Sequence, residues 1–128
     1  MIYAFPDVES ALITYLKSEG IETRGQVLNI GTPQVTLKLT GGYRKDPRRV
    51  VAQVTFSAWG KTPNGWVESF ELGSKVLQLI ENLPFKGYLG DYPVHQVNIS
   101  TPLYVDPDPF SETARYSCTL QMTLAGVK

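Results

Sequence analysis

The run Ala114-Arg115-Tyr116-Ser117-Cys118-Thr119-Leu120-Gln121-Met122-Thr123-Leu124 decides the fold. Tyr116, Cys118, Leu120, Met122 and Leu124 alternate with Arg115, Ser117, Thr119, Gln121 and Thr123. In a strand, successive side chains point to opposite faces, so this one has an apolar face and a polar face. A strand of that kind belongs to a sheet covered on one side only. Val50 to Trp59 repeats the pattern, with Val50, Ala52, Val54, Phe56 and Ala58 on one face. Gln34 to Thr40 does so again, with Val35, Leu37 and Leu39 opposed to Gln34, Thr36, Lys38 and Thr40. These two runs are close in sequence, and an antiparallel hairpin is their simplest pairing. Gly41 to Arg49, turn-rich and basic, reads as a long tip between them. Tyr92 to Thr101 is a fourth strand, with Val97 and Ile99 inward. Pro102 to Thr113 holds Asp106-Pro107-Asp108-Pro109 and reads as a loop, because proline cannot donate to a ladder. Ile21 to Ile30 is the weakest extended segment, interrupted by Arg24 and Gly25, with Gly31-Thr32-Pro33 as punctuation.

The covering layer comes from two helical segments. In Pro6 to Glu19, the residues Val8, Ala11, Leu12, Tyr15 and Leu16 form one apolar stripe. Pro6 suits the first helical position, Asp7 and Glu9 the positive end of the dipole, and Gly20 a left-handed stop. The second helix spans Gly65 to Leu83, with Thr62-Pro63 or Asn64 as its cap and Pro84 as its end. Its apolar residues, Trp66, Phe70, Leu72, Val76, Leu77, Leu79, Ile80 and Leu83, cover an arc of about 180°, wider than one packing partner needs. Gly73 lies inside the arc and permits close backbone approach. The surplus predicts a second partner, either the first helix or a neighbouring subunit, with Trp66, Phe70, Leu72, Val76 and Leu79 as the inter-subunit or packing residues. The fold class is therefore α+β: a mostly antiparallel sheet of about four to five strands with two helices packed on one face.

A chain of 128 residues makes one domain, 1–128, and 42% apolar residues supply a core. Twelve Lys plus Arg balance twelve Asp plus Glu, which argues against a general binder of nucleic acid or anionic membrane. No basic segment followed by an apolar run opens the chain, and no apolar run reaches the length that spans a bilayer. The expectation is a protein inside cells, or part of a particle assembled there, with no membrane partner. One cysteine excludes an intrachain disulfide and a Cys-based zinc cluster.

Candidate chemistry is sparse. Cys118 and His95 form a nucleophile and base on paper, but Cys118 stands on the apolar face of the cleanest strand. Asp91, Asp106 and Asp108 are oxygen ligands for a divalent ion on paper, and Asp-Pro-Asp-Pro is more simply a rigid, solvated loop. Gly41-Gly42 lacks the helix start and Lys-Ser/Thr pair of a phosphate loop. The expectation is no catalytic residue, no metal site and no cofactor. The charge cluster Arg44, Lys45, Arg48 and Arg49, with Tyr43 beside it, is either a solvated tip or a contact loop for an acidic partner surface or passing nucleic acid.

Four stretches in order carry a resemblance. They are Asp7-Val8-Glu9-Ser10-Ala11-Leu12-Ile13-Thr14-Tyr15-Leu16, then Val35-Thr36-Leu37-Lys38-Leu39-Thr40-Gly41-Gly42-Tyr43-Arg44, then Val54-Thr55-Phe56-Ser57-Ala58-Trp59-Gly60. The last is Val105-Asp106-Pro107-Asp108-Pro109 followed by the closing strand from Ala114. Together they resemble tail terminator proteins of long-tailed, siphovirus-type bacteriophages, especially those infecting actinobacteria. The resemblance covers nearly the whole chain. It departs from the group in the long helix, where Ser69, Gly73 and Ser74 replace small alanines and Trp66 and Phe70 are bulkier.

The resemblance implies a structural, non-enzymatic virion protein at the head-proximal end of the tail, assembled in the host cytoplasm. It implies a homohexameric ring that caps the tail tube protein, stops its polymerisation, and joins the head-tail connector or neck protein, with DNA passing close by. Two other readings stay open: another neck or tail-completion ring subunit, and a small ligand-binding or regulatory α+β domain.

Overall fold

A computed structural model describes residues 6–26, 32–61, 65–111 and 113–125. In chain order the elements are α1 (Val8–Ser18), β1 (Thr23–Arg24), β2 (Gln34–Arg44), β3 (Arg49–Trp59), α2 (Trp66–Glu81), α3 (Leu83–Lys86), β4 (Tyr88–Leu89), β5 (Tyr92–Val105) and β6 (Arg115–Ala125). The strands form a six-stranded sheet in the order β1-β2-β3-β6-β5-β4. Every pairing is antiparallel except β1 with β2, so the sheet is mixed. The α+β class holds. The strand number exceeds the expected four to five by β4, two residues long and too short to show a period.

The alternating runs of β3 and β6 lie where their pattern requires. In β2, Val35 and Leu37 are buried, but Gln34 is buried too and Leu39 is exposed. Ile99 of β5, expected inward, is exposed near the open edge of the sheet. Val50, Ala52, Val54, Phe56 and Ala58 of β3 are fully buried, as are Cys118, Leu120, Met122 and Leu124 of β6. Val8, Leu12 and Leu16 of α1 and Val76 and Ile80 of α2 close over the same face and join them in one core. Each such aliphatic side chain contributes roughly 1.5–3 kcal/mol by leaving water. Leu77 packs against this core without being fully enclosed. Tyr116 stands at its margin, half-buried.

Several local expectations are corrected. Asp7, not Pro6, caps α1: its carboxylate accepts from the Ser10 N–H at 3.2 Å, leaving Pro6 outside the helix. Gly20, with φ of 84°, follows the last turn as expected. Of the segment from Ile21 to Ile30, Thr23 and Arg24 form the described strand, and residues 27–31 lie outside the described residues. The Thr62-Pro63-Asn64 cap lies outside them too, and Gly65 holds the N-cap position without a side-chain bond.

α2 stops at Glu81, before Pro84, which falls instead in the first turn of α3. The buried line of α2 runs through Ser69, Gly73, Val76 and Ile80, with the leucines flanking it. The Ser69 hydroxyl donates to the Ala58 carbonyl at 2.6 Å. A Cβ on Gly73 would come within 2.9 Å of Leu103 Cδ2. Small residues thus set how closely α2 seats on β3 and β5. On the other side, the Tyr15 hydroxyl of α1 donates to the Leu79 carbonyl at 3.2 Å, so α1 takes part of the surplus arc.

β5 runs to Val105, through Pro102, so the proline-rich loop begins at Asp106. Pro102 is tolerated because β5 is an edge strand beyond its first residues, where a missing donor costs no ladder bond.

Candidate assembly surfaces

The basic tip is shorter and better built than its sequence implies. β2 continues through residues 41–44, paired with 50–53 of β3 after a bulge between Leu39 and Gly41. The true connection is residues 45–48, an ordinary hairpin length. Asp46 organises it. Its Oδ1 accepts from the N–H groups of Arg48 and Arg49, both at 2.9 Å, and its Oδ2 accepts from Arg49 Nε at 2.7 Å. The Arg49 side chain and then the Arg48 amide hold the Asp46 carboxyl below its usual range. The long-loop expectation fails because pairing with β3 draws Gly41 and Gly42 into a strand.

Tyr43, Arg44, Lys45, Arg48 and Arg49 do come together at this end of the sheet, all exposed. His95 joins them in a shallow groove of about 280 Å³ with Asp46, Arg48 and Arg49. Sequence reasoning missed His95 here, because only the β3-β6-β5 register puts Val94 level with Leu124 and Val50.

The α2 residues expected to act together are divided. Val76 is fully enclosed in the core. Leu72 and Leu79 are half-buried against it. Trp66 and Phe70 instead stand edge-on to the Tyr116 ring, with centroids 5.9 and 5.4 Å away. Phe70 keeps 49% of its surface and Val67 66%. Val105, paired with Tyr116 and 58% exposed, extends this apolar patch onto β5. The packing reading thus holds for Val76 and, in part, for Leu72 and Leu79. Exposed apolar surface is left at Phe70, Val67 and Val105.

β5 also presents an open edge. β4 pairs with Tyr92 and Pro93, and the Val94 N–H donates to the Gly87 carbonyl at 2.9 Å. Beyond Val94, no strand among the described residues pairs with the outer side of β5. Between Asp91 and Asp106 the sequence holds no Lys, Arg, Asp or Glu. Exposed edges usually carry such charges to repel added strands. Ile99 and Tyr104, each 39% exposed, add apolar surface along it.

The catalytic and metal candidates do not converge. Cys118 is fully enclosed, and burial pushes its thiol up to about 11, with Glu81 adding in the same direction. His95 lies near the level of Leu124, six residues and about 20 Å along β6 from Cys118. Asp91 stands at one end of β5, and Asp106 and Asp108 follow its other end. No metal-binding group of three His, Cys, Asp or Glu occurs among the described residues.

Asp106 holds the loop to the sheet instead, and Asp108 braces the loop internally through Ser111 and the Thr113 carbonyl. Asp106 accepts from the Ser117 hydroxyl at 2.7 Å and pairs with Arg115 Nη2 at 3.2 Å. The Arg115 guanidinium lies 4.8 Å from the Trp59 ring centroid. Asp108 is 7% exposed and is held below its usual carboxyl range, first by the Ser111 hydroxyl. Pro107, Pro109 and Phe110 around it are exposed, so Asp108 is enclosed within an otherwise solvated stretch. The Ser57–Ser117 (2.8 Å) and Thr55–Thr119 (2.9 Å) hydroxyl pairs continue this polar face across the strands. A groove of about 410 Å³ lies there, lined in part by Thr36, Thr40, Thr55, Ser57 and Trp59.

Among the described residues no helix is long and apolar enough to cross a membrane. Compared with known proteins, the chain matches no family model and no curated sequence.

Proposed function

We propose that the chain is a structural subunit of a long-tailed bacteriophage, forming a homohexameric ring that caps the tail tube, stops its growth, and joins it to the head-side connector. The observation that carries this reading is the ordered set of four stretches quoted above. The structure supports the reading by offering several separate contact surfaces on a small domain. These are the basic tip, the Phe70–Val67–Val105 patch, and the open edge of β5. A ring that joins two different structures needs a contact to its own neighbour, one to the tube and one to the neck. Growth stops when the face left exposed no longer matches a further tube subunit.

Deleting the gene in a phage that carries it tests the proposal by electron microscopy. The expected result is tails of uncontrolled length without joined heads, restored by the chain supplied in trans. Tails of normal length that fail to join heads would favour a neck subunit instead, and normal virions would overturn both. Within this reading the tip residues Arg44, Lys45, Arg48 and Arg49 face the tube ring or the DNA-bearing channel. Replacing all four by serine is expected to leave folding and ring formation intact while lowering the yield of head-joined tails. Unchanged titres would remove the tip from the mechanism.

The groove on the polar face favours the ligand-binding alternative. A metabolite retained through native mass spectrometry on a monomeric chain would establish it.

A further inference from the structure

The polar face of the sheet carries hydroxyl groups whose hydrogen bonds have fixed directions. Ser117, 1% exposed, donates its hydroxyl hydrogen to Asp106 Oδ2 at 2.7 Å. A serine hydroxyl has a single hydrogen, so the 2.8 Å contact between Ser57 and Ser117 uses the hydrogen of Ser57. Ser57 is left with lone pairs alone and acts as an acceptor. Thr36 stands directly opposite Ser57 in the β2–β3 register. Its Oγ1 accepts from Trp59 Nε1 at 3.0 Å, because an indole nitrogen only donates. The Thr36 hydroxyl hydrogen has no acceptor among the described residues and remains to donate. Both residues are half-buried and line the groove of about 410 Å³. Their anchors are fixed in turn: Arg115 Nη2 holds Asp106 at 3.2 Å, and its guanidinium lies against the Trp59 ring.

A donor and an acceptor held about 5 Å apart across a strand pair select what binds between them. A ligand hydroxyl satisfies both at once, accepting from Thr36 and donating to Ser57. A carboxylate has no hydrogen to donate, and an ammonium has no lone pair to accept with. The one charged side chain that lines the groove is Lys38, exposed and without an ion pair among the described residues. It follows Thr36 by two residues on the same face of β2, a step of about 7 Å, which matches the span of a six-membered sugar ring with its substituents. We propose that the groove binds a sugar acid, with a ring hydroxyl between Thr36 and Ser57 and the carboxylate at Lys38. Thr40 and Thr55, in contact with each other at 3.4 Å, line the groove beside Lys38 and add polar groups for the remaining hydroxyls. Trp59 is nearly enclosed, so it orients Thr36 and does not stack on the sugar. The site goes beyond the ring reading and does not rest on it, since a ring subunit and a monomer hold it equally.

The test is nuclear magnetic resonance titration of the full chain with three probes: glucuronate, glucose and acetate. Glucuronate is expected to shift the Trp59 indole N–H, whose partner is Thr36, and to bind at least about threefold more tightly than glucose. Acetate, which has the charge without the hydroxyls, is expected to leave that resonance unmoved at the same concentration. Ser57→Ala removes the acceptor and Thr36→Val the donor, and each is expected to weaken glucuronate about threefold to tenfold. Thr36→Ser keeps the hydroxyl and is expected to keep the affinity, which separates the donor from any general effect on packing. Lys38→Met is expected to bring glucuronate down to the affinity of glucose while leaving glucose unchanged, and added salt should act in the same direction. Circular dichroism of each variant checks that the fold persists.

Four results would each overturn the site: no probe that moves the Trp59 indole resonance, acetate bound as tightly as glucuronate, unchanged affinity in a folded Ser57→Ala, or equal losses of glucose and glucuronate in Lys38→Met. The terminator reading is judged separately by tail length. A chain that controls tail length and ignores all three probes loses the site and keeps the function.

Discussion

The outer sides of β2 and β5 bound the same sheet and are finished in opposite ways. β2 is covered by β1 and by a carboxylate from α1, which takes the Leu39 N–H at 2.9 Å. β5 carries the two-residue β4 at one end and no formal charge between Asp91 and Asp106. The centre of the sheet is the same for both, since β3 and β6 bury nearly every inward side chain. A closed edge here is made by non-local groups, Glu9 above all. An edge is left open where no such group arrives, and there the fold is available to a partner.

The most damaging change removes the centre that both edges share. Leu120→Asp places an unpaired carboxylate among Val54, Met122 and Ile80 and is expected to cost about 4 kcal/mol or more. Chemical denaturation measures it. A variant melting within about 2 °C of wild type would refute the strand assignment of β6.

Cys118 reports on the same core by chemistry. Its thiol, pushed up to about 11 and enclosed, is expected to resist alkylation at pH 8 in the native chain and to react quickly in Leu120→Asp. The sign for stability follows from linkage. A thiol whose folded value is raised favours the native state in full below its unfolded value of about 8.5, and that contribution is lost as pH rises toward 11. Stability that rises between pH 9 and 11, in roughly the same window, would contradict the enclosed thiol.

Glu9→Gln sharpens the comparison of edges directly. It replaces a carboxylate acceptor by a weaker neutral one at Leu39 and is expected to cost about 0.5–1 kcal/mol. Exchange of the Leu39 amide should quicken several-fold while the β5 amides stay unchanged. Equal acceleration at both edges would mean that Glu9 supports the whole fold rather than one edge.

The smallest effect is at the tip. Because Asp46 is held below its usual range, its contribution to the turn is complete above the ordinary aspartate value of about 3.9 and is lost as pH falls through its folded value. Nuclear magnetic resonance should show the Arg48 and Arg49 amides shifting together in that acid window, and Asp46→Asn should abolish the shift with little change in melting temperature. Independent titration of the two amides would mean that Asp46 does not organise the turn.

What proved legible was what depends on local period. The alternation in β3 and β6 and the stripe Val8, Leu12 and Leu16 in α1 each declare a buried face within one element, because side-chain direction repeats every two or about 3.6 residues whatever the partner is. Residues 41–44 read as a loop in the sequence because glycine carries no periodic signal, and their strand character comes from pairing with β3. The α2 site was half legible. An apolar arc shows which residues want cover, but Ser69 and Gly73 decided the close seat of the helix, and that left Phe70 outside.

By itself, then, the sequence determined the α+β class, the hairpin of β2 with β3, and the absence of charge along β5, since each is a property of neighbouring residues. Only the tertiary structure decided that β1 runs parallel to β2, that Glu9 closes one edge, that His95 meets the basic tip, and that Ser57 stands opposite Ser117. Those facts depend on register between strands far apart in the chain. Register is set by the whole core at once, because a slip of one residue would turn every buried side chain to the other face.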